Sequence, residues 1–164
     1  MADNPSAPGD RVAVVGFNDT AWIERVLTDS APEAYAALSA LGPKVADGTR
    51  LDLALAIARQ AITSGSDRPG NRRVVVLLTD GLPNRVPPAE DGRPETTILR
   101  AADALKADRI LVHTIGLGGA GDIDAALLRS VASGPADYHE VPDAEELAAM
   151  YRSIAASVGV CPDD

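Results

Sequence analysis

Residues 72–84, Arg-Arg-Val-Val-Val-Leu-Leu-Thr-Asp-Gly-Leu-Pro-Asn, limit what this chain can fold into more than any other stretch. The run Val74 to Leu78 has no polar face, so it reads as a strand covered on both sides. Such a strand belongs in a parallel sheet flanked by helices. It stops at Thr79, Asp80 and Gly81. The carboxyl edge of an open parallel sheet is where ligands and ions bind. Asp80 therefore reads either as part of a site or as a strand-to-loop turn residue.

The rest of the chain supplies the neighbours such a strand needs. Residues 11–17, Arg-Val-Ala-Val-Val-Gly-Phe, and residues 109–115 are further aliphatic runs that predict buried strands. Asn18-Asp19-Thr20 and the mixed residues 21–28 predict a hairpin whose second strand is an edge. Helical spacing predicts helices over 32–41, 50–63, 96–107 and 123–132. In the second of these, Leu51, Leu55, Ala58 and Ile62 form a stripe widened by Leu53, Ile57 and Ala61. Residues 138–141 read as a short strand. Asp143 with Glu146 reads as the cap of a last helix that buries Leu147, Met150, Tyr151, Ile154 and Val158. Strand and helix alternate after residue 70, which means a parallel sheet with helices on both faces. The loop over 82–94, with Pro83, Pro87, Pro88 and Pro94, lies beside Asp80 and is suited to recognition.

Composition narrows the function. A chain of 164 residues is one domain's worth, divided here into a tail at 1–10, a domain at 11–158 and a tail at 159–164. A net charge of -9 argues against nucleic acid and anionic membrane surfaces as partners. Cys161 is the single cysteine, so neither an internal disulfide nor a cysteine metal cluster is available. No run approaches the roughly 20 apolar residues of a membrane span, and the first ten residues do not read as a signal peptide. Cell-surface or extracellular placement stays open if the chain is part of a longer protein. No Ser/His/Asp order, nucleophile elbow or Cys/His pair supports catalysis. His113 reads as a packed core histidine and His139 as a surface residue. Gly116, Gly118 and Gly121 match the bare dinucleotide spacing, a match read as chance because it belongs to a late unit. Glu90, Asp91 and Glu95 read as a solvated acidic loop.

Four segments together resemble the von Willebrand factor type A (VWA) family, the doubly wound family shared with integrin inserted domains. Arg11-Val-Ala-Val-Val-Gly-Phe-Asn18 resembles its second strand, and Gly48-Thr49 before a long helix resembles its threonine loop. Val75-Leu-Leu-Thr-Asp-Gly-Leu82 resembles its fourth strand, and Thr114-Ile-Gly-Leu-Gly118 the end of its fifth. The region of Tyr138, Asp143 and Tyr151 fits the tail of many bacterial members. The resemblance implies a Rossmann-like α/β fold, a mostly parallel sheet with one antiparallel edge strand and helices on both faces. It also implies a metal-ion-dependent adhesion site for Mg²⁺, built from an Asp-x-Ser-x-Ser motif, one threonine and one aspartate. An ion with few charged protein ligands stays electrophilic, so a partner's carboxylate can complete its shell of six oxygens.

The chain departs from that pattern. The family's first central strand, its Asp-x-Ser-x-Ser motif and its first helix have no counterpart. Asp3 and Ser6 have the wrong spacing, and Ser64-Gly65-Ser66-Asp67 has the residue types in the wrong order. Only Thr49 and Asp80 carry over as metal ligands, with Gly48, Gly81, Leu82, Pro83 and Asn84 forming the partner-binding face. Thr49 has a second reading as a helix N-cap. Mg²⁺ binding by this chain alone is expected to be weak or absent. The expected function is non-enzymatic protein binding, as an adhesion or scaffold module, through a partial metal site. The alternative is a metal-independent or incomplete domain that needs a complementing segment or partner chain; a small doubly wound enzyme ranks last. Without the first strand, the strands at 12–17 and 74–78 are expected to pair directly in a five-stranded sheet. Otherwise they expose open edges through which the chain can self-associate.

Overall fold

Aliphatic runs form strands and spaced aliphatics form helices, as a computed structural model describes the chain for residues 10–44, 46–65, 71–119 and 121–159. Strands β1 (Val12–Phe17) and β2 (Ala21–Thr28) make the expected antiparallel hairpin. Its turn is held by Asn18, whose Oδ1 accepts the Thr20 N–H at 3.0 Å. Helix α1 (Ala31–Leu41) starts at Ser30, whose hydroxyl accepts the Glu33 N–H, with Pro32 in the first turn where no donor is needed. Helix α2 (Leu51–Thr63) buries Leu51, Ala54, Leu55 and Ala61.

Strand β3 (Val74–Thr79) pairs in parallel with β4 (Leu111–Leu117), from Val74 opposite Leu111 to Thr79 opposite Gly116. Strand β5 (Tyr138–Val141) joins the far edge of β4, also in parallel. Helix α3 (Pro94–Ala107) links β3 to β4, α4 (Ala125–Val131) links β4 to β5, and α5 (Ala144–Gly159) follows β5. Strand β4 begins later than the aliphatic run suggests. Arg109 turns at φ 58, and the Ile110 N–H still bonds the Leu105 carbonyl at the end of α3. Asp143 caps α5 as expected, accepting the Glu146 N–H at 3.1 Å.

The alternation of side chains along β3 and β4 creates two apolar layers. Leu77 and Val112 point to one side, where they pack with Leu51 and Leu55 of α2, Ile98 and Leu105 of α3, and Leu128 and Val131 of α4. Leu78 and Ile115 point to the other, against Ile154, Leu147 and Met150 of α5. Helices thus cover both faces, as a doubly wound α/β fold requires.

Three expectations fail, for related reasons. The five strands do not form one sheet: among the described residues, β1 pairs only with β2, and β3 only with β4. Among the described residues no strand lies between β1 and β3, and no backbone hydrogen bond joins them. Strand β3 is not covered on both faces either. Leu77 and Thr79 are buried, but Val76 is 37% exposed and Leu78 half-buried, because α5 reaches over β4 and β5 instead. Tyr151 turns away from that contact and is exposed, not buried. The side chain of Val158, and residues 3–6 and 66–67, lie outside the described residues.

A carboxyl-edge site where the two sheets meet

The two sheets are tied at their carboxyl ends by one short connection, residues 48–50. The Arg50 N–H donates to the Asn18 carbonyl just beyond β1, at 3.0 Å. Thr49 forms an isolated antiparallel bridge with Asn84 beyond β3, and its N–H donates to Asn84 Oδ1 at 2.8 Å. Arg85 Nη1 reaches back across the same gap to Asp19 Oδ2 at 2.9 Å. The segments that follow β1 and β3 therefore meet at residues 48–50.

This geometry brings Thr49 against the turn that follows β3. The turn after β3 is made by Thr79, whose buried hydroxyl accepts the Gly81 N–H at 3.4 Å. Asp80 is not used in that turn. It is exposed, and its carboxylate makes no hydrogen bond or ion pair among the described residues. Thr49 Oγ1 faces the same turn: a methyl group on Gly81 would sit 3.5 Å from it. The capping role for Thr49 is not observed. The N-cap of α2 is Arg50, which has no side-chain cap and instead grips Asp52 with two hydrogen bonds of 2.8 and 2.7 Å. The Thr49 hydroxyl stays uncommitted among the described residues.

The face around them is partly apolar. Leu82 is half exposed, Pro83 is half-buried and Asn84 is exposed. The loop they begin is pinned rather than loose, with Val86 inserted into the main core and the Thr97 hydroxyl donating to the Pro87 carbonyl at 2.8 Å. Gly48 sits at φ +107, and a Cβ there would lie 1.7 Å from Asp19 Oδ1. Asp19 is the residue the sequence reading placed only in a turn. Its Oδ1 is buried without a hydrogen-bond partner among the described residues. An Asp two residues after a strand was the available signal.

The other residues weighed for chemistry take structural places. Asp91 accepts the Arg93 N–H and the Thr96 hydroxyl at the start of α3, and the Thr96 hydroxyl, then the Arg93 N–H, hold its carboxyl below the usual range. Gly116 lies inside β4, where a Cβ would meet Ile123 Cδ1 at 2.4 Å, so its smallness serves packing. His113 is buried as expected, whereas His139 is half-buried rather than on the surface. Its Nε2 lies 3.5 Å from His113 Nδ1, which is also 3.5 Å from Asp137 Oδ1. Among the described residues, no three His, Cys, Asp or Glu side chains group as a metal site. None of the described helices is long and apolar enough to cross a membrane.

Solved structures share this architecture at low identity. Proximal thread matrix protein 1 from the mussel byssus, with zinc in its MIDAS motif, is 21% identical with a TM-score of 0.70. The alignment covers 93% of this chain and 35% of that one. The pilus adhesin SpaC from Lactobacillus rhamnosus GG is 18% identical with a TM-score of 0.76, over 90% of this chain and 25% of that one. The vWF domain of the type V pili tip protein Mfa5 from Porphyromonas gingivalis is 13% identical with a TM-score of 0.76, over 98% and 84%. The chain thus spans about a third of the mussel protein and a quarter of the adhesin. No curated protein matches it. The family comparison is decisive, because the von Willebrand factor type A domain matches residues 2–153. This chain belongs to the von Willebrand factor type A domain family.

Proposed function

We propose that this domain is a non-enzymatic protein-binding module that engages its partner through the carboxyl edge of the sheet. Thr49 and Asp80 give that edge part of a hard-cation site. The observation that carries the reading is the Thr49 hydroxyl facing Gly81, next to the exposed Asp80, both without a side-chain partner among the described residues. Two oxygen donors suit Mg²⁺, which keeps several waters and takes few protein ligands. Two of six positions make weak binding, so a carboxylate from the partner is the natural completion. Leu82, Pro83 and Asn84, with Gly48 and Gly81, form the face on which the partner rests. A pilus adhesin, a pili tip protein and a byssus matrix protein among the structural neighbours support a binding role over catalysis.

Calorimetric titration with Mg²⁺ tests the cation. A weak heat from the chain that disappears in Asp80→Ala supports the site; silence from both ends the metal reading. Immobilised chain and Asp80→Ala, probed with a carboxylate-bearing peptide with and without EDTA, test whether the ion recruits an acidic ligand.

The split sheet favours a second reading. Here the domain is incomplete without a complementing segment, and the metal is secondary. Its support is that β1 and β3 each keep an unpaired edge among the described residues.

A further inference from the structure

The amino edge of the parallel sheet, at the far end of β3 and β4 from Asp80, carries a shallow basin. It lies where α3 turns into β4 and is lined by Lys106, Arg109, Ile110, Leu111 and Ser133, with a volume of about 330 Å³. That volume is at the small end of the range for sites that hold small molecules. The turn is a Schellman motif, in which the Ile110 N–H bonds the Leu105 carbonyl at 3.1 Å and the Arg109 N–H bonds the Lys106 carbonyl at 3.0 Å. Arg109 holds its left-handed position at φ 58, which glycine adopts freely and an L side chain resists. An arginine kept there against its backbone preference argues for a use of the side chain. That use is not internal. Arg109 is exposed, and its guanidinium has no hydrogen bond or ion pair among the described residues. Nor does it serve the helix end, because the N–H groups of residues 108–110 already bond the Ala104, Leu105 and Lys106 carbonyls.

We infer that this basin binds a phosphate group, with Arg109, Lys106 and Ser133 as its donors. The polar side-chain groups that stay free there all donate. Arg109 offers its guanidinium fork. Lys106 Nζ gives one N–H to the Ser130 carbonyl at 2.9 Å and keeps two. Ser133 Oγ accepts the Val112 N–H at 2.8 Å, which leaves its O–H without an acceptor among the described residues. No carboxylate lines the basin, and the neighbouring Asp108 is tied to Arg59 at 2.7 Å. Two cations and a hydroxyl without a counter-charge suit an oxyanion. Three independent donors match the three terminal oxygens of a phosphate group, whereas a carboxylate has two. The net charge of -9 opposes anions at long range, so binding depends on these contacts and not on a general basic surface.

The test uses the 164-residue chain labelled with ¹⁵N, with EDTA present so that Mg²⁺ cannot carry phosphate to the Asp80 edge. Inorganic phosphate is titrated at constant ionic strength while backbone amide shifts are followed. The expected result is a saturable shift confined to residues 106–111 and 133. Arg109→Gly is the deciding variant, since glycine suits φ 58 and leaves the turn intact. It should melt at the parent's temperature or higher, and bind phosphate at least about ten-fold more weakly. Acetate should bind the parent at least about ten-fold more weakly than phosphate. Glycerol phosphate and a short phosphoserine peptide, titrated in the same way, identify where the group comes from. The tighter ester names the source, and free phosphate is the source if neither gains on it. Shifts that spread over the surface without saturating overturn the inference. So does undiminished binding by Arg109→Gly, or acetate binding as tight as phosphate. A lower melting temperature for Arg109→Gly overturns it as well, because Arg109 then has a structural role in the turn.

Discussion

The hairpin and the three-stranded sheet begin from the same kind of sequence and reach different states. In β4, Val112 and Ile115 are fully buried, with strands on both edges and helices on both faces. In β1, only Val14 and Gly16 are buried, and Val12 is 51% exposed although it starts an equally aliphatic run. Val26 in β2 is 62% exposed. Burial here follows the number of neighbours a strand has, not its composition. Most of the aliphatic core is built around the parallel sheet, while the hairpin rests on α1, α2 and the edge contacts at 48–50.

Core truncation should separate the halves most strongly. Ile115→Ala removes a fully buried side chain between β4 and α5 and should cost about 2–5 kcal/mol. Val26→Ala, on an exposed edge, should change stability by no more than about 0.5 kcal/mol. Urea titrations read both. Trp22, the single tryptophan, lies in β2, so its fluorescence reports the hairpin while circular dichroism reports the whole chain. Equal losses in the two variants would erase the distinction. Non-coincident transitions would sharpen it into separate unfolding of the hairpin.

The joint between the halves is the next place to strike. Gly48→Ala puts a side chain at φ +107 and drives it into Asp19 Oδ1, with an expected loss of about 1–3 kcal/mol. Asp19→Ala in the same chain removes the collision but not the unfavourable φ, so the double variant should recover part of the loss. Hydrogen exchange should then rise in β1 and β2 before β4. A loss spread evenly over both sheets would mean that residues 48–50 are not the joint.

Local sequence carried much of this architecture, and its limits are physical. The aliphatic runs located β1, β3 and β4, the spacing of Leu51 and Leu55 located α2, and Asp143 marked the start of α5, because each signal is complete within a few residues. The proximity of Thr49 to the Asp80 turn followed from the order of four family-like segments, not from any local pattern. What could not be read depended on neighbours distant in sequence. The exposure of Val76 depends on where α5 lies, and the split of the sheet on which strands find partners. Asp19 became part of the edge only when Gly48 and Arg85 were brought against it. Thr49 lost its expected capping role because the helix starts one residue later, at Leu51, with Arg50 as its N-cap.

The smallest expected effect is a pH dependence confined to the parallel half. His139 on β5 faces His113 on β4 at 3.5 Å, with Asp137 on the short helical turn before β5 beside His113. Burial, then the charge of a protonated His113, pushes the His139 pKa below its ordinary 6.5, and Asp137 offsets part of that. A histidine with a lowered folded-state pKa takes up its proton more readily when unfolded. The unfolded state therefore binds more protons between the two pKa values, and stability rises with pH across that window. Cooling of the effect at either end is expected: it is fully present above 6.5, is lost as pH falls toward the folded pKa, and is flat below it. Glu24, Glu33, Asp91 and Asp108, whose carboxyls are held low by their partners, titrate below this window and do not confuse it. Urea midpoints taken from about pH 7.5 down to about 5.5 should fall, and His139→Gln should reduce the slope. The Trp22-detected transition should respond less than the dichroism if the hairpin unfolds apart. A midpoint that climbs as the pH is lowered would contradict the lowered pKa of the half-buried His139.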